Sequence, residues 1–205
     1  MRERPIPFSG PMVRAILTGT KTQTRRAVKG WQLEWLEPSI SFSPEYVALP
    51  ENGACPYGQP GDRLWVREAW RTVKEADDTP PRDMDAAYRL WYEADAHADH
   101  HAHQLGYGRY RPPMFMPRWA SRITLEVTGV RVERLQDISE ADAVAEGAPS
   151  ADLASGRECI FPHQGTHRWG FQLLWESING PGSWDENPWV WVVEFRGWLR
   201  SRPPA

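Results

Sequence analysis

The sequence predicts an α+β fold, a small mixed β-barrel with helices at its ends. Residues 123–132 alternate between apolar and polar side chains, as expected for a long strand with one buried face. Residues 189–195 form a second, strongly apolar strand that closes the domain. Helices lie between the strands without the regular alternation of a parallel sheet, which favours a barrel with helices at its ends.

The N-terminal elements are a short strand at residues 6–8 and a helix that begins at Gly10. A proline follows Gly10, and proline is tolerated at the first helical position. Gly19 ends the helix. The turn formers of residues 30–60 predict irregular structure, and residues 64–70 are expected to form a strand. The apolar stripe of the helix comprises Met12, Val13, Ile16 and Leu17.

Residues 71–118 are predicted to be an insertion, punctuated by proline pairs, with its best strand at residues 88–92. Residues 123–132 are one long strand or two strands broken near Gly129. The domain prediction is a single domain over residues 1–196 that includes this insertion. Residues 197–205 are expected to be a loose tail.

Two helices are predicted in the C-terminal half. Ser139 and Asp142 resemble a capping box, which opens a short helix that Gly147 closes. The second helix is amphipathic, because its apolar residues recur at helical spacing. Those apolar residues are Phe171, Leu174, Trp175 and Ile178.

Composition narrows the function classes. A net charge of −3 over 205 residues argues against a protein that coats nucleic acid electrostatically, although a local patch is compatible with it. The 12 tryptophans offer platforms for a flat base as well as core packing. Two cysteines do not make a disulfide framework, so a reduced, cytoplasmic protein is expected. No stretch of the sequence is long and apolar enough to span a membrane, so a membrane partner is not expected.

Residues 19–26, GTKTQTRR, are the most informative segment. Lys21 is one of only three lysines, with Lys29 and Lys74, in a chain whose positive charge is otherwise arginine. A desolvated ammonium can lose its proton and act as a base, whereas a guanidinium effectively cannot. Genome composition is an alternative explanation for the scarcity of lysine.

Lys21 and Thr24 are three residues apart. They would share a face of a helix, point to opposite sides of an extended segment, or meet across a sharp turn, and the spacing leaves these alternatives open. A lysine near a threonine hydroxyl can serve as its general base if burial or neighbouring cations such as Arg25 and Arg26 lower the lysine pKa. The alternative is a solvated basic turn.

Glu146 is the second candidate for chemistry, because it lies at the end of the short helix just before Gly147. The negative end of the helix dipole favours the protonated form of a carboxyl group, which suits a proton donor. An exposed glutamate in a frayed turn is the alternative. Arg67 and Glu68 line a pocket in one interpretation and form a surface ion pair in the other.

A metal site is not expected. Four histidines lie in a polar run at positions where i, i+3, i+4 spacing could gather ligands, but they do not complete a tetrahedral set. We therefore predict neither a metal nor a cofactor. Cys55 and Cys159 are expected to be buried small residues and not nucleophiles. The four histidines are His97, His100, His101 and His103.

These segments together resemble the ASCH domain family, which has a PUA-like β-barrel fold. Residues 19–26 are similar to the family's GxKxxExR segment, with Thr24 at the glutamate place and Arg26 at the arginine place. Residues 61–66, 123–132, 138–147 and 189–195 extend the resemblance over most of the chain. The layout is most similar to the longer ASCH proteins of phages and prophages.

One branch of that family hydrolyses N(4)-acetylcytidine and also has threonine in this motif. The resemblance implies Lys21 as proton acceptor, Thr24 as nucleophile and Glu146 as proton donor. It implies a modified nucleoside or RNA as the partner. The alternatives are a non-catalytic RNA-binding ASCH module, a phage accessory protein, or a nuclease. The candidate ligand-binding residues are Arg26, Arg25, Thr22, Trp65, Arg67 and Glu68.

Overall fold

The computed structural model of the chain describes residues 1–37, 40, 42–95, 106–150 and 166–199. The strands in this part are β1 (Glu3–Pro7), β2 (Gln23–Ala27), β3 (Arg63–Arg67), β4 (Trp70–Arg71), β5 (Trp91–Tyr92), β6 (Ile123–Arg134) and β7 (Trp189–Leu199). The α-helices are α1 (Gly10–Leu17), α2 (Trp31–Trp35), α3 (Pro44–Ala48), α4 (Glu140–Ala145) and α5 (Thr166–Asn179).

Strands and helices are mixed, which confirms the α+β class, but the main sheet is open. Among the described residues its strand order is β1-β3-β6-β7-β2. Strand β1 pairs with β3 in parallel, and β2 pairs with β7 antiparallel. A barrel needs its edge strands to pair with each other, and β1 and β2 do not. The predicted barrel is therefore wrong, because alternation identifies the buried face of each strand and not the pairing of its edges.

The chain divides into two compact units. The first consists of Met1–Thr18, Asp62–Glu126 and Gly197–Ala205, and the second of Gly19–Gly61 and Val127–Arg196. The predicted single domain over residues 1–196, with its insertion and tail, stays a prediction.

In the first unit, Val13 and Ile16 anchor the predicted helix α1 in the core. The predicted insertion contributes the two-stranded β4–β5 sheet, and only Trp91 and Tyr92 of the expected strand 88–92 are extended. The described part of this region has its own apolar cluster, around which a proline-rich stretch with little regular structure packs. The buried members of that cluster are Trp70, Ala76, Met84, Leu90, Met116 and Ala120.

In the second unit, the predicted capping box is confirmed. The Ser139 hydroxyl accepts a hydrogen bond from the Asp142 amide at 3.0 Å, and the Asp142 carboxylate accepts from the Ser139 amide. Helix α4 then ends before Gly147, whose φ of 70° lies in the left-handed region that favours glycine. The position of Glu146 at the end of this helix is therefore as predicted.

The structure confirms some of the other secondary-structure predictions and contradicts others. Residues 123–134 form one unbroken strand, which decides between the two alternatives at Gly129. In α5, Phe171 and Trp175 are buried as expected, whereas Ile178 near the helix end is exposed. Residues 30–60 are not irregular throughout, since they hold α2 and α3. Each of these helices is a five-residue segment, too short for helical periodicity to appear in the sequence.

Candidate functional site

The backbone around Thr22 positions Lys21 within the second unit. The Thr22 amide donates to the Ala145 carbonyl of α4 at 2.8 Å, and the Thr22 carbonyl accepts from the Phe195 amide of β7 at 2.8 Å. Lys21 therefore immediately precedes β2 and lies beside the C-terminal end of α4. The sequence left open whether Lys21 and Thr24 lie on a helix, in an extended segment or across a turn. The structure shows an extended segment from residue 23.

The Lys21 ammonium is buried and makes three hydrogen bonds. Its Nζ donates to the Gln23 carbonyl at 2.8 Å, to the Glu146 carbonyl at 2.7 Å and to Glu146 Oε2 at 2.8 Å. These bonds match the three donors of an ammonium. Burial lowers the pKa of Lys21, while the Glu146 carboxylate opposes that shift and the charges of Arg26 and Arg25 add to it.

Glu146 is held from two sides. It caps α4, and its side chain is buried. One carboxylate oxygen accepts from Lys21, and Oε1 accepts from Arg25 Nη1 at 3.2 Å. A buried carboxylate with two cationic donors is compensated on both oxygens. The structure thus brings Lys21 and Glu146 together, 125 positions apart in the sequence.

Arg25 connects this pair to a wider set of charges. Its Nε donates to Glu133 Oε1 at 3.0 Å, and its Nη2 lies 3.4 Å from the Asp142 carboxylate. The guanidinium also lies over the Phe171 ring, 5.9 Å from the centroid. Arg25 is therefore buried among these partners, and its guanidinium is directed at three carboxylates of the second unit.

Asp142 receives donors from several elements. Gln23 Nε2 donates to its carbonyl at 2.8 Å and to Oδ1 at 2.9 Å, and Arg131 Nη2 donates to Oδ1 at 3.1 Å. Burial opposes ionisation, but the hydrogen bonds from Gln23 and Ser139 and the charges of Arg25 and Arg131 lower the pKa of Asp142 to about 2. Asp142 therefore links the cap of α4 to strands β2 and β6.

Thr24 is buried in β2, where it pairs with Val193 of β7. Side chains alternate along a strand, so Thr24 points to the face of β2 opposite to Gln23 and Arg25. Those two neighbours reach Asp142 and Glu146, and the Thr24 hydroxyl is not part of that network among the described residues. The structure therefore does not place Thr24 with Lys21 and Glu146 in one set of hydrogen bonds.

Arg26 shares the Thr24 face of β2 and is half-buried. Burial lowers the pKa of Arg26, and its electrostatic interactions with Tyr57 and Glu146 oppose that shift. Burial likewise raises the pKa of Tyr57, against the charge of Arg26. Arg26 therefore lies on the Thr24 face of β2, and Tyr57 is near enough to interact with its charge.

The remaining ligand-binding candidates have different surroundings. The Thr22 side chain is exposed. Trp65, Arg67 and Glu68 belong to the first unit. Arg67 lies over the Trp65 ring at 4.6 Å, and Glu68 is buried against Arg122, whose Nε donates to it at 2.9 Å. Burial raises the pKa of Glu68, which Arg122 opposes.

Sequence reasoning missed the partners that surround Lys21 and Glu146. Arg131 lies in the predicted strand 123–132 and Glu133 just beyond it, neither was given a role, and Asp142 was assigned only its capping role. Tyr57 is an aromatic residue in a turn-rich segment. A search for polar residues that break the alternation of β6 would have found Arg131 and Glu133, since the partly buried face there carries charges.

The part of the chain that the structure describes contains no cluster of three or more histidine, cysteine, aspartate or glutamate side chains arranged to hold a metal. The His97–His103 run and Cys159 lie outside the described residues. Cys55 is buried and forms no disulfide with a described residue. None of the described helices is long and apolar enough to span a membrane.

Comparisons with known proteins give little. No family model matches the chain, and no curated protein matches it. Among solved structures, the chain is similar to an ASCH domain from Lactobacillus crispatus JV V101, with 13% identity and a TM-score of 0.37. The match covers 97% of this chain and 81% of that one. A TM-score of this size does not establish a common fold.

Proposed function

We propose that this chain is an amidohydrolase of the N(4)-acetylcytidine type, with Thr24 as nucleophile, Lys21 as base and Glu146 as acid. The observation that carries the proposal is the buried hydrogen bond of 2.8 Å between Lys21 Nζ and Glu146 Oε2. The substrate class comes from the resemblance of residues 19–26 to the ASCH motif.

The pair can supply both a base and an acid. Transfer of one proton from Lys21 Nζ to Glu146 Oε2 leaves a neutral amine and a carboxylic acid. Burial lowers the pKa of Lys21 and so favours its neutral amine. A single proton shift along an existing hydrogen bond therefore prepares both catalytic groups, and no outside proton is needed.

The chemical step then balances. Thr24 Oγ1 forms a bond to the acyl carbon and passes its proton to the Lys21 amine. The bond from the acyl carbon to the amide nitrogen breaks, and Glu146 gives its proton to the departing nitrogen. The pair returns to ammonium and carboxylate. Water next attacks the acyl-threonine ester and loses a proton to the pair, and Thr24 regains its proton from Lys21 as the free acid leaves.

This mechanism requires a rearrangement at both Lys21 and Thr24, because Thr24 points to the face of β2 opposite to Gln23 and Arg25. All three donors of its ammonium are directed at Gln23 and Glu146, so the amine must give up one of these acceptors to receive the Thr24 proton. The contacts of Arg25 keep Glu146 in place while Lys21 turns. Arg26, on the Thr24 face of β2, and Tyr57, which interacts electrostatically with it, are the groups proposed to hold the pyrimidine or its carbonyl oxygen.

The test is release of cytidine from N(4)-acetylcytidine by the purified protein, followed by chromatography. The wild type is expected to release cytidine, and Thr24→Val to abolish release, since valine keeps the shape of threonine without its hydroxyl. Thr128→Val is the matched control, because Thr128 is an exposed strand threonine of β6. Absence of release by the wild type overturns the proposal for this substrate.

A second candidate is a non-catalytic RNA-binding module. The observation that favours it is that Lys21 is already hydrogen-bonded by the protein itself, as in a structural ion pair. This candidate predicts salt-dependent RNA binding that Arg26→Gln weakens and Thr24→Val leaves unchanged. Cytidine release that depends on Thr24 would exclude it.

A further inference from the structure

The second unit carries a group of aromatic side chains, three exposed and Trp35 half-buried, which we call the aromatic patch: Trp31, Trp35, Phe42 and Tyr46. The ring centroids of Trp31 and Trp35 are 4.9 Å apart, and those of Trp35 and Phe42 are 5.5 Å apart. Phe42 and Tyr46 stack at 4.8 Å. The four rings are therefore one continuous surface that spans α2 and α3.

The rings of the aromatic patch are not needed to fill the core. Val47 is fully buried and Leu36 nearly so, and these residues anchor the segment to the rest of the unit. Trp31 is 46% exposed, Phe42 40% and Tyr46 41%. Exposed aromatic surface of this extent marks a binding site more often than chance, because leaving it in water is unfavourable.

Hydrogen bonds order the patch in advance. The Phe42 amide donates to the Trp35 carbonyl at 3.1 Å, which ties the end of α2 to a residue two positions before α3. The Tyr46 amide donates to the Ser43 hydroxyl at 3.2 Å, and Asn52 Nδ2 donates to the Tyr46 carbonyl. Because the rings are already held in place, they lose little conformational entropy when a partner binds.

The negative charge of residues 31–53 indicates which kind of partner would bind the aromatic patch. Residues 31–53 contain four glutamates and no lysine, arginine, histidine or aspartate, a formal charge of −4 within a chain whose net charge is −3. All four glutamates are exposed. Hydrogen bonds to Glu45, from its own backbone and from Ser43, lower the pKa of that carboxyl. The glutamates are Glu34, Glu37, Glu45 and Glu51.

We propose that the aromatic patch docks an arginine-rich segment of a partner protein. The faces of the rings attract cations, and a guanidinium stacks on them while it pairs with neighbouring carboxylates. The same carboxylates repel phosphate, so nucleic acid is a poor occupant of this surface. The patch takes no part in the Lys21 network, so this proposal is independent of the proposed hydrolysis.

The experiment titrates the purified protein against a fluorescent synthetic peptide of arginine spaced by glycine and proline, and measures anisotropy. Binding is expected to weaken about 10-fold or more in Trp31→Ala combined with Tyr46→Ala, since two cation–π contacts are lost. Glu34→Gln combined with Glu45→Gln is expected to weaken binding and to reduce its dependence on salt. Circular dichroism verifies that each variant is folded.

Phe115→Ala is the matched control, because Phe115 is an exposed ring of the first unit, outside the patch. Its binding is expected to equal that of the wild type. A peptide with lysine in place of arginine is expected to bind more weakly, and one with glutamate not at all. Equal binding of the arginine and lysine peptides, an effect of Phe115→Ala equal to that of the patch variants, or patch-dependent self-association in sedimentation overturns the proposal.

Discussion

The Lys21 ammonium lies 2.8 Å from the Glu146 carboxylate, and both side chains are buried although 125 positions separate them in the sequence. The carboxylate also receives Arg25, so one anion compensates two cations. This relationship joins the start of β2 to the end of α4. It is at once a buried polar contact within the second unit and the basis of the proposed chemistry.

Removal of one partner of this pair is expected to be costly. Glu146→Ala leaves the Lys21 ammonium buried without its carboxylate and should lower the free energy of unfolding by about 3–5 kcal/mol. Denaturant titration measures this change in the free energy of unfolding. Glu194→Ala is the control, because it breaks an exposed ion pair with Arg131 and should cost about 0–1 kcal/mol. A Lys21→Met, Glu146→Leu double variant should be more stable than Glu146→Ala, and the reverse order would contradict the prediction.

The acid stability of the protein should depend on Asp142. Its pKa is lowered from 3.8 to about 2 in the folded state, so it binds a proton more readily when unfolded. The stabilisation is therefore complete above about pH 4 and is lost as the pH falls towards 2. In Asp142→Asn, the melting temperature should fall less than in the wild type as the pH decreases over this range. Asp137→Asn, at an exposed position, should retain the wild-type slope.

The cap of α4 offers a local test. Ser139→Ala removes the hydroxyl that accepts from the Asp142 amide, and should lower the free energy of unfolding by about 1 kcal/mol. Ser139→Gly should lower the free energy of unfolding by only about 0.3 kcal/mol, since glycine is tolerated at the N-cap. Equal losses in the two variants, measured by denaturant unfolding, would show that the hydroxyl has another role.

If Lys21 is the base, a guanidinium cannot replace it. Lys21→Arg retains the positive charge but cannot lose a proton at ordinary pH, so cytidine release should vanish. In the wild type, the Lys21–Glu146 pair works with one shared proton, so kcat/KM should fall as the pH rises through the lowered pKa of Lys21 and removes that proton. Hydrolysis by Lys21→Arg at the wild-type rate would remove Lys21 from the mechanism.

Local sequence signals predicted the elements on either side of the candidate site. The capping box at Ser139 and the glycine at 147 predicted α4 and the place of Glu146 at its end. The alternation of residues 123–132 predicted the strand β6. These signals act over a few residues, through hydrogen bonds and side-chain periodicity, and so they can be read without the fold.

The sequence by itself determined the α+β class, the main strands and the helix that ends at Glu146, because caps, glycines and periodicity act within single elements. Only the tertiary structure decided that the sheet is open, that Lys21 meets Glu146 and that Thr24 points to the other face of β2. Those facts depend on strand pairing and on contacts between residues more than a hundred positions apart, which no local pattern encodes.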